Sequence, residues 1–387
     1  MQAKSAFSLK DHLFNAEKVD YLASLVESAA SDTFPTPDFR KSVLSAFPVL
    51  ELKQRIDHIA TCLRAVLPDD YPSALETILR ALPPELDATR SDDDFGDFII
   101  APLSRFVSLY GCERRYLPQS LPALREITKR FSAEDAIRYF INEFPDESME
   151  FLLACADDKN YHVRRLASEG TRPRLPWSPK VSIDYRTPLP ILEKLYRDPT
   201  RYVTRSVANH LNDISKLDAP LVLEMLRRWK ELDRAGTGDR PYVAGPELEF
   251  IAKHALRTRI NDGDQEALAF LGFRGVADVT VHAFATSTPV VTIGEALVFG
   301  VDLQSNARQS LLLDYIINFA RDGKPGGRKV FKMKQFELAA DERREILKKH
   351  PLRPMTTRRL YPGQHTVTLQ INGKAAGNFS FELRTAD

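Results

Sequence analysis

Forty residues separate two copies of one pattern. His162-Val163-Arg164-Arg165-Leu166-Ala167-Ser168-Glu169 returns as Tyr202-Val203-Thr204-Arg205-Ser206-Val207-Ala208-Asn209, with Val and Arg in register and apolar positions matching around them. Each V-x-R lies just inside a helical pattern, after a D-x-x-x turn. A period of about 40 belongs to the HEAT/armadillo class, in which helix pairs stack into a solenoid with a concave binding face. A chain built this way is committed to helix-on-helix packing over that stretch.

The surrounding sequence agrees. Val19, Leu22, Leu25 and Val26 share one helical face. Similar amphipathic patterns occupy 51–67, 72–82, 98–111, 122–131, 133–144 and 147–156, with Pro35, Pro37, Pro48, Pro68, Pro118, Pro122 and Pro145 between them. A last pattern at 247–271, with Ile251, Ala255, Leu256, Ala267, Leu268 and Leu271, is expected to close the array after a Gly-rich loop around Gly236-Thr237-Gly238.

After Phe273 the period changes to strands. Seven are predicted, at Val279–Val281, Val290–Thr292, Leu297–Leu303, Leu312–Phe319, Lys329–Phe336, His365–Gln370 and Asn378–Leu383. Ile371-Asn372-Gly373-Lys374 reads as a hairpin turn, and Tyr361-Pro362-Gly363 as the turn into the penultimate strand. The 387 residues therefore divide into a mainly α, HEAT-like solenoid at 1–272 and an all-β, immunoglobulin-like sandwich at 273–387.

Several classes are excluded. No stretch approaches the roughly 20 apolar residues of a membrane span, and the N-terminus lacks a signal-peptide pattern, so a cytoplasmic protein is expected. Cys62, Cys112 and Cys155 are scattered singly, which argues against a zinc ribbon or a disulfide scaffold. His58, His162, His210 and His254 show no paired ligand spacing, and no P-C-x-x-C of a zinc deaminase is present. No metal or cofactor is expected. Walker and GxSxG motifs are absent, the Gly236 loop follows no strand, and Asp92-Asp93-Asp94 reads as a solvated loop.

Charge is informative only by position. The chain carries 54 Lys+Arg and 53 Asp+Glu, a balance that hides two basic segments. Residues 159–180 hold Lys159, Arg164, Arg165, Arg172, Arg174 and Lys180 against Glu169 alone, a local net of +5. Residues 321–360 have a local net of +8. Two such segments suggest a polyanion held by both domains. The plainer alternative is that helical arrays use arginines for capping and salt bridges. Glu169 ends its helical pattern at Gly170, which reads as a left-handed C-cap, and Trp177 follows in a Pro-rich loop. One carboxylate, one aromatic and several phosphate-capable arginines suit cleavage of a glycosidic bond, which needs an anion facing a cationic sugar. Glu134 starts another helix, with Ser132 and Asp135 as a capping pair. Composition alone does not choose it over Asp135 or Glu147.

At the level of whole blocks the chain resembles the AlkC branch of the alkylpurine DNA glycosylases in the HEAT-like-repeat superfamily. The resemblance rests on Ser8-Leu9-Lys10-Asp11 with Phe14-Asn15, on Arg164 through Trp177, on Ser206 through Lys216, and on Arg353 through Gly363. It implies excision of cationic N3-methylated bases, 3-methyladenine and 3-methylcytosine, from duplex DNA, without drawing the lesion into a deep pocket; a monomer is expected, as suits an enzyme that encircles DNA. It also implies catalytic roles for Glu169, Glu134 and Trp177. DNA contacts are expected from Arg164, Arg165, Arg172, Arg174, Arg205 and Lys216, and from Arg328, Lys329, Arg358 and Arg359 of the sandwich. A base that already carries charge leaves as a neutral heterocycle, so no general acid and no lysine nucleophile are required. The competing expectations are a non-catalytic binder of damaged DNA and a protein-interaction scaffold.

Overall fold

Several prolines start helices here instead of separating them. Pro37, Pro72, Pro102, Pro118, Pro145 and Pro190 all sit in the first two positions of a helix, where the missing amide would have had no intrahelical partner. Pro37, Pro118 and Pro145, expected between helices, are thus helical, and Pro122 lies inside one. The computed structural model describes residues 8–30, 34–90, 95–234, 245–321, 327–354 and 359–385. The Gly236 loop, Asp92-Asp93-Asp94 and Arg358 lie outside them.

The first helices are α1 (Leu9–Leu13), α2 (Ala16–Ala29), α3 (Thr36–Ala46), α4 (Leu52–Val66), α5 (Tyr71–Arg80), α6 (Ala101–Tyr110) and α7 (Leu117–Thr128). They continue as α8 (Glu134–Glu143), α9 (Pro145–Cys155), α10 (Tyr161–Gly170), α11 (Leu189–Leu195), α12 (Arg201–Ser215), α13 (Ala219–Arg234) and α14 (Gly245–Ala255). The helices α4, α6, α8, α10, α12 and α14 pack one on the next, while α5, α7, α9 and α11 form a second row behind them. This is a helical-repeat fold. In α2 the buried face is Val19, Leu22, Ala23 and Val26, with Ala23 inside in place of the expected Leu25.

The 40-residue echo has a physical cause. Asp158 caps the turn before α10 by accepting the Asn160 amide at 2.8 Å, and Asp198 does the same for Thr200 at 2.9 Å before α12. Each aspartate also takes an arginine from the preceding repeat: Arg125 Nε lies 2.6 Å from Asp158, and Arg164 Nε 2.5 Å from Asp198. These ties hold successive repeats in register. The Arg164 guanidinium is an inter-repeat tie, the structural use of arginine that the plainer alternative describes.

Two short helices follow, α15 (Arg257–Asn261) and α16 (Gln265–Phe270), then, among the described residues, eight strands: β1 (Val279–Thr286), β2 (Val290–Thr292), β3 (Ala296–Ser305), β4 (Gln309–Asn318), β5 (Arg328–Leu338), β6 (Arg343–Pro351), β7 (Gly363–Ile371) and β8 (Lys374–Arg384). They form two sheets, ordered β1-β3-β6 and β2-β8-β7-β4-β5. Phe299, Val301, Leu313, Tyr315, Val367 and Phe381 are among the side chains of the core between them. Asn372 and Gly373 adopt φ of 47° and 78°, the left-handed pair that a two-residue hairpin of this hand demands. The eighth strand, β6, was not expected. Its Arg343-Arg344-Glu345 and Lys348-Lys349 hide an edge strand that pairs with β3 from Gln304↔Arg343 to Ala296↔Pro351, and lysines are the usual guard of such an edge.

The described residues form two compact units, one reaching Asp218 and including Leu226–Ala255, the other combining Ala219–Met225 with the chain from Leu256 onward. The α15–α16 segment was expected to close the helical array. It packs with the strands, because Leu268 and Phe273 share a buried cluster with Leu312 of β4.

Candidate active site

Glu134 is the first residue of α8, Glu169 lies near the end of α10, and Ser206, His210 and Asp213 lie along α12. Stacking these three helices brings together groups that are 30 to 40 positions apart in the chain. Glu169 is 4% exposed. Arg172 Nη1 donates to its Oε1 at 2.5 Å, Arg165 Nη2 lies 3.9 Å from the same oxygen, and the Ser206 hydroxyl donates to Oε2 at 2.6 Å. Arg172 also turns Nε and Nη2 onto Asp213 Oδ2 at 3.0 and 2.8 Å. Arg165 donates to Ser132 Oγ at 2.6 Å and lies 3.4 Å from Glu134 Oε2. A line of alternating charge results: Glu134, Arg165, Glu169, Arg172, Asp213.

The two glutamates sit in opposite electrostatic states. Burial pushes the Glu134 carboxyl above its ordinary value; Arg165 only partly opposes this, and the Glu169 charge adds to it. Burial acts on Glu169 in the same direction, but Arg165 and Arg172, with the Ser206 and Arg172 hydrogen bonds, outweigh it and hold Glu169 below the usual carboxylate range. Glu169 is therefore a fixed anion, and Glu134 a carboxylate with higher proton affinity beside it. The Ser132 hydroxyl donates to Glu134 rather than capping α8, whose N-cap is Ala133, so the expected Ser132–Asp135 capping pair does not form. His210 is fully buried and pushed down to about 3, by burial and then by Arg172, so it is neutral; its Nδ1 is 3.0 Å from the Ser168 carbonyl.

Gly170 does not end α10 in a left-handed conformation. It is helical, and a Cβ there would meet Ile137 Cγ2 of α8 at 2.6 Å. Glycine is required for close packing of α10 on α8, the contact that sets Glu169 beside Glu134. From α8 the buried Arg138 fastens the following loop, donating to the carbonyls of Gly170 at 3.0 Å, Arg172 at 2.8 Å and Pro179 at 2.5 Å. That loop holds Trp177 at φ 73° and 75% exposed. An aromatic held out in a conformation that L-residues rarely adopt is strained by its surroundings, and Lys53 of α4 fastens the Trp177 carbonyl from the other side.

The remaining expected contacts divide. Arg165 and Arg172 are buried against carboxylates rather than presented to solvent. Lys216 is exposed and reaches Asp213 at 3.2 Å. Arg174 is exposed and makes no ion pair among the described residues, and Arg205 is half-buried on α12. In the strand unit Arg328 and Lys329 are exposed on β5, and Arg359 is exposed beside the Tyr361 ring, 5.3 Å from its centroid. Asp213, Ser206 and Arg138 were given no role from sequence. The signal was available in the repeat itself, since residues about one period apart on stacked helices face each other: Ser206 follows Glu169 by 37 positions, and Asp213 follows Arg172 by 41. Among the described residues no group of three or more His, Cys, Asp or Glu is arranged to hold a metal ion. No helix of the described residues is long and apolar enough to cross a membrane.

Over 380 residues the chain is 33% identical to the Bacillus subtilis (strain 168) protein YhaZ, named as uncharacterized, covering 96% of this chain and 98% of that one. Residues 280–385 match the family model described as the C-terminal Ig-like domain of YhaZ. The structure of Pseudomonas fluorescens alkylpurine DNA glycosylase AlkC, bound to DNA containing an abasic site analog, superposes with a TM-score of 0.85 at 34% identity, covering 98% of this chain and all of that one. The chain belongs to the AlkC family. The match covers both the helical repeat and the Ig-like region of this chain.

Proposed function

We propose that this AlkC-family protein is a monofunctional DNA glycosylase that hydrolyses the N-glycosidic bond of cationic N3-methylated bases, 3-methyladenine and 3-methylcytosine, in duplex DNA. The observation that carries the reading is the pair of unlike carboxylates. As the bond breaks, its electron pair moves onto the base and cancels the base's charge, and positive charge develops on the deoxyribose. Glu169, held ionised by two guanidiniums and a hydroxyl, is a preorganised anion for that sugar. Glu134, with its raised proton affinity, takes the proton of the water that adds to C1′. The exposed Trp177 packs its face on the sugar, where a π-surface also favours a cation. No lysine enters the reaction, so no strand nick accompanies release. Arg165 and Arg172 act on the carboxylates, and phosphate contact falls to exposed residues such as Arg174, Arg328, Lys329 and Arg359.

The test is base release under single-turnover conditions from duplexes carrying 3-methyladenine or 3-methylcytosine, resolved by chromatography. Glu169→Gln is expected to lose about 10²–10³-fold in rate, the usual cost of removing one preorganised electrostatic contact. Release at the wild-type rate would refute the role of Glu169. No release by the wild-type chain would favour a non-catalytic DNA-binding protein.

A further inference from the structure

The Arg165 guanidinium stands between the two glutamates, yet among the described residues its close hydrogen bonds leave from one corner. Nη1 donates to Ser132 Oγ at 2.6 Å and reaches Glu134 Oε2 at 3.4 Å. Nη2 lies 3.9 Å from Glu169 Oε1, too far for a hydrogen bond. A plane held at one corner is free to swing, and the restraint comes from α12. The Tyr202 ring lies against the guanidinium, with Cζ 4.4 Å from the ring centroid. Phe95 lies 5.7 Å from the same carbon and meets Tyr202 edge-on at 5.5 Å. Aromatic faces attract a guanidinium most strongly where water is excluded, and Arg165 and Tyr202 are both buried. The repeat explains the placement. Arg165 and Glu169 lie one turn apart on α10, Tyr202 and Ser206 one turn apart on α12, and both pairings share an offset of 37 positions. One face of α12 thus offers a ring to the arginine and a hydroxyl to the glutamate. The Tyr202 hydroxyl is buried without a hydrogen-bond partner among the described residues, so the group in use is the ring.

We propose that Tyr202 is a positioning residue: with Phe95, its ring fixes the Arg165 guanidinium between Glu134 and Glu169. The proposal rests on the glycosylase reading and adds to it a residue that acts through Arg165. The charged and titratable groups around Arg165 are Glu134 on α8, Glu169, Tyr161 and His162 on α10, Arg172 in the loop after it, and Tyr202 on α12. Arg165 lowers the proton affinity of both glutamates. Glu169 is also held by Arg172 and Ser206, whereas Glu134 leans on Arg165. A guanidinium that strays therefore raises Glu134 the more, and the group that accepts the proton of water stays protonated to a higher pH.

The experiment uses the full chain with Tyr202→Leu, Tyr202→Phe, and a series carrying 4-fluoro-, 3,5-difluoro- or 3,4,5-trifluorophenylalanine at position 202. These rings share one shape, while each added fluorine weakens the face that attracts a cation. Two readouts are followed: single-turnover release of 3-methyladenine from pH 4 to 8, and titration of the Glu134 carboxyl by carbon-13 NMR. Tyr202→Leu is expected to raise the Glu134 proton affinity about 5- to 30-fold, the usual worth of a desolvated cation–π contact, and to carry the acid limb of the rate profile upward with it. Tyr202→Phe is expected to rescue both, and the fluorinated rings to shift both stepwise. A packing role alone would lower the unfolding temperature of Tyr202→Leu and leave the titration and the acid limb in place; that result overturns the proposal. So does a flat fluorine series, or Tyr202→Phe behaving like Tyr202→Leu. If Tyr202→Leu does not fold, the isosteric series decides by itself. A wild-type chain that releases no base, while the Glu134 titration follows the ring, refutes the glycosylase reading and leaves the positioning role standing. Base release with an unmoved titration refutes the positioning role alone.

Discussion

Ser206→Ala isolates the setting of Glu169. The hydroxyl donates to Glu169 Oε2 at 2.6 Å, and both groups are buried, at 2% and 4% exposure. A hydrogen bond to a buried charged group contributes about 1.5–3 kcal/mol. Arg172 and Arg165 still hold Oε1 in the variant, so the carboxylate keeps its charge and loses one donor. By linkage the lost energy appears twice, as lower stability at neutral pH and as a roughly 10- to 100-fold weaker preference for the ionised form. The sign is fixed by the lowered carboxyl of Glu169. Its stabilising contribution is complete above the ordinary value of 4.5 and fades as pH falls below 4.5 through the folded-state value. Removing the Ser206 bond moves that fading to higher pH. Two measurements check this: urea unfolding at pH 7, and single-turnover release of 3-methyladenine from pH 4 to 8. The expected result is a loss of about 1.5–3 kcal/mol together with an acid limb of the rate profile displaced toward neutrality. A variant with unchanged stability and an unmoved acid limb would refute the claim that Ser206 holds Glu169 ionised.

Other perturbations follow the same logic. Trp177→Gly removes a side chain held at φ 73°, so stability should hold or rise by about 1–2 kcal/mol while base release collapses; a parallel loss of stability would make Trp177 a packing residue. Gly170→Ala gains about 1 kcal/mol of helix propensity but drives a methyl to 2.6 Å from Ile137 Cγ2. Overpacking of about 1–3 kcal/mol should make it a net destabiliser that also slows release, as read by thermal unfolding and rate. In the strand unit, burial pushes Asp314 up to about 6, with Lys332 only partly opposing it. Its ionisation therefore costs stability above pH 6, and that cost is relieved as pH falls from 6 toward its ordinary 3.8. Asp314→Asn should stabilise that unit by up to about 3 kcal/mol at pH 8 and by nothing at pH 4, measured by pH-dependent unfolding.

How much was legible follows from the range of the interactions. Helix against strand, the repeat, the Asn372-Gly373 hairpin and the change of texture after Phe273 are local, since side-chain period and turn chemistry act over a few residues. Strand β6 escaped because an edge strand guarded by charge imitates a loop. The α15–α16 segment reads as part of the array because its own periodicity is helical, and periodicity says nothing about which neighbour covers a face. The basic segment at 159–180 suggested a polyanion, but a net charge in sequence cannot distinguish a guanidinium facing solvent from one facing a carboxylate. Arg164, Arg165 and Arg172 are the second kind, and Arg174 is exposed.

The sequence by itself determined the class of each part, the period that stacks one repeat on the next, and the motif block containing Glu169 and Trp177. Tertiary structure alone decided what those residues are chemically. A carboxylate's protonation depends on what lies within a few ångströms, and for Glu169 those groups come from its own helix, the loop after it and a serine 37 positions onward. For Glu134 they come from the adjacent Ser132 and from the next repeat. Two glutamates that are alike as letters become a fixed anion and a carboxyl of raised proton affinity only when α8, α10 and α12 are stacked.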